Sequence, residues 1–134
     1  MSAYEGLIAR YRDWLDLPAG IDVFFDVHRP DPRLIIVGAV HIASDLVQFA
    51  RPLGFKTYLV DPRTAFATPE RFPHVDVLLT EWPDEALPKL GLTADTSVVV
   101  VTHDPKLDDP ALLLALPSPA GYVGALGSPK THAR

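Results

Sequence analysis

The chain contains no cysteine. Disulfides, thiolate zinc sites, iron–sulfur clusters, CxxC redox chemistry and a cysteine nucleophile are therefore excluded. It lacks any apolar run near the roughly 20 residues that span a bilayer. Residues 1–16, MSAYEGLIARYRDWLD, carry charges throughout and have no signal-peptide h-region. A soluble, cytoplasmic protein without a membrane partner is expected. The 12 basic residues are scattered and outnumbered by 17 acidic ones, for a net charge of −5. No nucleic-acid partner is expected from that balance. The 5 histidines show neither HxH nor HExxH spacing, so no metal centre is expected. No G-x-S-x-G elbow marks a hydrolase serine. What the chain has in abundance is proline, 14 in 134 residues, which argues against a helical bundle because helix interiors exclude it. The length suits one globular domain.

Tyr4, Leu7, Ile8, Tyr11, Trp14 and Leu15 recur at helical spacing behind a Ser2 cap. Residues 21–27 are β-branched and aromatic and predict a strand. His28-Arg29-Pro30-Asp31-Pro32 is an extended linker. Residues 1–30 thus read as a helix–strand appendage and residues 31–134 as a separate α/β domain. In that domain, strands are predicted at 34–37, 56–60, 75–79, 97–101 and 120–126. Helices are predicted at 41–53 and 83–90, and a third is capped by Asp108 or Asp109 with Pro110 in its first turn. Strand–helix alternation at this spacing predicts a Rossmann-like, doubly wound parallel sheet of five strands in order 3-2-1-4-5.

Strand carboxyl ends line the ligand crevice of such sheets. That rule gathers Gly38, Ala39, Val40, His41, Asp61, His103, Asp104 and Ser128 into one candidate binding site. Gly38 and Ala43 hold the first and last positions of a G-x-G-x-x-G/A fingerprint, while Val40 replaces the glycine that admits a pyrophosphate. Tight NAD binding is therefore not expected. Asp61, at the end of the second strand, stands where an acid would hold a ribose 2′-hydroxyl; the alternative is a local pair with Arg63. The amides of Ala39 to His41 and the Ser128 hydroxyl can donate to phosphate oxygens, and His103 suits anion contact near neutral pH with Asp104 fixing its orientation. No nucleophile has its base alongside, so the set suits binding better than turnover.

Several segments resemble the C-terminal Rossmann domain of the XdhC/CoxI family: RLIIVGAVH at residues 33–41, VDPR at 60–63, RFP at 71–73, THDPKLDDPAL at 102–112 and YVGALGS at 122–128, followed by THAR. The resemblance implies an accessory protein for a molybdenum hydroxylase of the xanthine dehydrogenase type, which would bind the pyranopterin molybdenum cofactor, assist its sulfuration and deliver it to the apo-enzyme. It implies a chaperone rather than a catalyst. The chain departs from the family pattern at Val40, where the family's loop usually reads G-A-G-H, and at Pro129, where a basic residue usually follows. Little of the family's N-terminal domain has a counterpart in residues 2–27. Without cysteine the chain has no sulfur-relay group of its own. The alternative reading is an NAD-binding module, or an oxidoreductase-like remnant, with weak nucleotide affinity. The apolar stripe of residues 4–15 and the strand at 21–27 are further expected to make intermolecular contacts that give a homodimer.

Overall fold

The computed structural model describes residues 28–127, together with Gly20, Phe24 and Asp26. The predicted helix at 2–16, most of the strand at 21–27, and Ser128 lie outside the described residues.

Five strands form one sheet: β1 (Arg33–Val37), β2 (Lys56–Val60), β3 (Val77–Leu79), β4 (Thr96–Val100) and β5 (Tyr122–Ala125). Three helices connect them: α1 (His41–Ala50), α2 (Pro83–Leu90) and α3 (Pro105–Ala115). The order is β3-β2-β1-β4-β5 and every neighbouring pair is parallel. The expected Rossmann-like topology is the one observed.

Alternate residues of the central strands feed two cores, because side chains of a strand point to opposite faces. Leu34, Ile36 and Leu59 pack with Ala43, Val47 and Ala50 of α1. Ile35, Val37, Val60, Val98 and Val100 pack with Ala86 and Leu87 of α2 and with Ala111 and Ala115 of α3. Small residues on the inward helix faces let the helices sit close to the sheet. Among the described residues, one helix thus covers one face and two cover the other.

β4 is shifted one residue earlier than expected and β5 is shorter, 122–125 against 120–126; three further boundaries differ for identifiable local reasons. β3 starts at Val77, not Val75, because Asp76 turns its carboxylate onto Thr57. Asp76 Oδ2 accepts from the Thr57 amide at 2.7 Å and from its hydroxyl at 2.9 Å, while Thr57 Oγ1 accepts from the Asp76 amide at 3.1 Å. These bonds stand in for a sheet ladder. The first helix ends at Ala50; a 3-10 turn, Arg51–Leu53, completes the segment and Gly54 closes it at φ 84°, the left-handed cap that favours glycine. The last helix begins a turn earlier than expected. Asp104, not Asp108 or Asp109, is its N-cap, accepting from the Lys106 amide, and Pro105 fills its first turn. Pro110 consequently lies inside α3, as Pro88 does inside α2. Each removes one intrahelical hydrogen bond. The carbonyls so freed belong to Lys106 and Asp84, both exposed.

Candidate functional site

The loops at the carboxyl ends of β1, β2 and β4 meet at one edge of the sheet. β1 and β4 are neighbours there, and the chain winds away from them in opposite directions. This is the switch point at which open α/β sheets form a crevice.

Gly38 begins the turn into α1. Its amide donates to the Val60 carbonyl at 2.9 Å, and its φ of 120° lies where L-residues are strained. A β-carbon there would meet Thr102 Cγ2 at 2.3 Å. The glycine therefore lets the β1–α1 turn lie directly against the loop leaving β4.

Asp61 is fully buried and all its acceptor capacity is used. Oδ2 accepts from the Ala39 amide at 2.7 Å and from Arg63 Nη2 at 2.7 Å. Oδ1 accepts from the Arg63 amide and from its Nε, both at 2.9 Å. Burial alone would raise the carboxyl's pKa. The Arg63 side chain, then the Ala39 and Arg63 amides, outweigh burial and hold the group ionised, below its ordinary value. Arg63 is held above its ordinary value, first by its hydrogen bonds to Asp61 and further by Asp104 and Asp108 across the crevice. The guanidinium also stacks on Phe66, 4.9 Å from the ring centroid, and Arg71 approaches the same ring at 5.6 Å.

On the β4 side, Thr102 Oγ1 donates to the Asp108 carboxylate and accepts the Asp104 amide at 2.9 Å. His103, between them, is exposed. Its φ of 62° makes it the one non-glycine residue with positive φ among the described residues. It sits on a strained, two-sided clasp: Asp104 caps α3 ahead of it and Thr102 ties back to the helix.

Helix α1 points its amino end into this crevice. Its N-cap is Val40, which provides no side-chain hydrogen bond, and its first turn holds no acidic residue. By contrast α2 has Asp84 and Glu85 in its first turn and α3 has the Asp104 cap and Asp108. An uncapped helix start leaves amide donors and the positive end of the helix dipole for an anion.

A model of the XdhC Rossmann domain matches residues 34–134. The chain belongs to the XdhC family. It is 31% identical over 107 residues to a probable xanthine dehydrogenase subunit from Bacillus subtilis, and 32% identical over 114 residues to the uncharacterised protein YqeB from Escherichia coli. It spans only 32% and 21% of those proteins. The crystal structure of a xanthine dehydrogenase from Bacillus halodurans superposes with a TM-score of 0.72 at 33% identity, covering 78% of this chain and 32% of that one.

The XdhC fold brings Gly38, Ala39, Val40, His41, Asp61, His103 and Asp104 to the same edge; Ser128 lies outside the described residues. Three of these do not have the roles their positions suggest. Asp61 has no lone pair left for a ribose hydroxyl, because Arg63 reaches back two residues to occupy it. The Ala39 amide is likewise taken by Asp61 and the Ala43 amide by the Val40 carbonyl, so the donors of this turn that are not already used lie between those two. Asp104 caps α3 rather than orienting His103. Sequence reasoning missed Asp108 as the partner of Thr102 and missed Phe66 and Arg71 beside Arg63. The pair Asp104-Pro105 was the available signal for the cap, since an acid followed by proline starts a helix.

Proposed function

We propose that this protein is an accessory protein of a xanthine dehydrogenase-type molybdenum hydroxylase, and that it holds the phosphate of the pyranopterin cofactor at the start of α1. Membership of the XdhC family supports the association with such an enzyme, as do the names of the two Bacillus relatives. The observation that carries the binding mode is the bare N-terminus of α1. Alone among the three α-helices of the described residues, it has neither a side-chain cap nor an acid in its first turn, and it opens at the switch point.

Val40 stands at the N-cap, where a dinucleotide's pyrophosphate would need a bare backbone. A ligand with a terminal phosphate, which needs no passage along the loop, fits this turn better. With Asp61 saturated by Arg63 and Ala39, no carboxylate at the end of β2 is available to a nucleotide's ribose. Both points favour cofactor handling over the NAD-binding alternative. The partner in this reading is the apo-hydroxylase. In this reading the chain's residues at the site bind and orient the cofactor rather than transform it.

Native mass spectrometry of the protein purified from its own host tests the reading. A retained mass equal to a pyranopterin is the expected result. Retention of a nicotinamide dinucleotide instead, or failure of added pyranopterin to bind the purified protein, would overturn it.

A further inference from the structure

Phe66 stands in the loop between β2 and β3 and is held out of the core while its neighbours enter it. Ala67 and Phe72 are buried, whereas Phe66 is 46% exposed. Its backbone is fixed on both sides. The Phe66 amide donates to the Arg63 carbonyl at 2.9 Å, and the Phe66 carbonyl accepts from the Thr68 amide at 3.1 Å and from Arg71 Nη1 at 2.9 Å. Its ring is fixed by two guanidiniums, Arg63 at 4.9 Å and Arg71 at 5.6 Å from the centroid. Arg71 is exposed and is braced in turn by the Phe72 ring at 5.5 Å. A single exposed apolar side chain is ordinary, but a ring clamped by two cations is a rigid platform. The platform belongs to the crevice. Arg63 donates to Asp61 Oδ2 at 2.7 Å, and the same oxygen accepts from the Ala39 amide at 2.7 Å. Three contacts thus lead from the β1–α1 turn to the Phe66 ring, a span that one phosphorylated heterocycle can bridge.

We infer that Phe66 and Arg71 seat the flat heterocycle of the crevice's ligand, and that they select a ring with an oxo oxygen beside a ring nitrogen, as in a pterin. Aromatic faces and guanidinium planes both stack flat rings. The selection follows from the donors. A guanidinium donates and never accepts. Among the described residues, the Arg71 guanidinium makes a single hydrogen bond, to the Phe66 carbonyl, and its other N–H groups are left for a ligand. Guanine offers an arginine two adjacent acceptors, its oxo oxygen and a ring nitrogen, and a pterin carries the same pair. Adenine sets an amino donor beside its acceptor, which meets a guanidinium donor to donor. The inference rests on the ligand class proposed above, but not on where the phosphate of that ligand binds.

The test follows neopterin, a phosphate-free pterin, through its own fluorescence as the full chain is added. Neopterin should bind, and more tightly than adenosine or guanosine measured by equilibrium dialysis. Phe66→Leu keeps an apolar residue but not the ring, and should weaken neopterin binding roughly five- to a hundredfold. Arg71→Gln, at an exposed position, should also weaken it and narrow the preference over adenosine. That variant carries the test if thermal melting shows that Phe66→Leu does not fold. Neopterin monophosphate separates the two proposals. If it binds no better than neopterin, the phosphate seat at α1 fails while the platform stands. Absence of neopterin binding, neopterin binding untouched by both substitutions, or tighter binding of adenosine or guanosine would each overturn the inference.

Discussion

Gly38 and Thr102 touch in a way that only a glycine permits: a β-carbon on Gly38 would lie 2.3 Å from Thr102 Cγ2. This contact joins the turn after β1 to the loop after β4. It sets the width of the crevice between them. The same Thr102 holds Asp108 and the Asp104 amide, so the glycine and the α3 clasp form one packed unit.

Gly38→Ala is therefore expected to destabilise the fold by about 2–4 kcal/mol, combining backbone strain at positive φ with overpacking. Adding Thr102→Ser removes the clashing methyl while keeping the hydroxyl. The double variant should recover the steric part and retain the backbone part. Urea denaturation of the four members of the cycle gives the coupling. Strict additivity would show that the two residues do not meet.

Asp61 gives the fold an acid-sensitive tie. Its folded pKa is below the ordinary value despite burial, through Arg63 and the two amides. Its contribution is then fully present above the unfolded carboxylate pKa of about 3.9 and is lost as pH falls through the folded value. Asp61→Asn should destabilise by about 2–3 kcal/mol at neutral pH. That is less than for a fully buried pair, because Arg63 is partly solvated. The gap between wild type and variant should stay constant down to about pH 5 and close below about pH 4. A gap that widens on acidification would contradict the tie.

Val40 separates helix stability from ligand binding. Val40→Asp supplies the cap that α1 lacks, worth about 1 kcal/mol, and gives up a comparable amount of half-buried apolar packing. Net stability by thermal melting should change by less than about 1 kcal/mol. Retention of a phosphate-bearing ligand should nevertheless fall sharply, since the new carboxylate occupies the amides and repels the anion. Val40→Gly is expected to act oppositely and admit NAD more readily. Equal ligand retention in all three proteins, measured by calorimetry, would move the site away from α1.

His103 occupies the left-handed region with an ordinary side chain. Replacement by glycine relieves about 1–2 kcal/mol of strain and adds about 0.5–1 kcal/mol of chain entropy cost, so stability should hold or rise slightly. Replacement by valine should destabilise by more than 1 kcal/mol or so, because β-branched residues tolerate this conformation least. If His103 contacts the ligand, both variants should bind it roughly ten- to a hundredfold more weakly, the loss of one charge-assisted hydrogen bond. A glycine variant as stable as wild type that binds equally well would leave His103 a purely conformational role.

The sheet is legible in the sequence because Ile35, Ile36, Val37 and the valines of β4 form apolar runs that only a doubly covered strand requires. The location of the crevice follows from topology alone. The assignment of atoms within it does not. Spacing places Asp61 at the end of β2, but whether its oxygens face a ligand depends on Arg63 folding back, which no periodicity encodes. The start of α3 is hidden for a different reason. Asp104-Pro105 and Asp109-Pro110 are the same signal five residues apart, and what distinguishes them is a side-chain clasp, Thr102 holding the Asp104 amide and reaching Asp108, that no spacing rule encodes. The position of β3's first residue turns likewise on one side chain, Asp76, competing for a strand partner's amide.

The parallel arrangement carries a consequence for how the molecule comes into being. Among the described residues, no strand is joined to its neighbour by a hairpin. β1 pairs with β2 on one side, Arg33 against Lys56, and with β4 on the other, Arg33 against Thr96. On a ribosome, the β3-β2-β1 half can assemble once Leu79 has emerged. β1 must then wait, its far row of amides and carbonyls unpaired and flanked by Ile35 and Ile36, until β4 is made. A half-sheet formed at that stage has its open edge at the centre of the finished sheet. That interval, rather than the completed fold, is when it is most exposed to wrong partners.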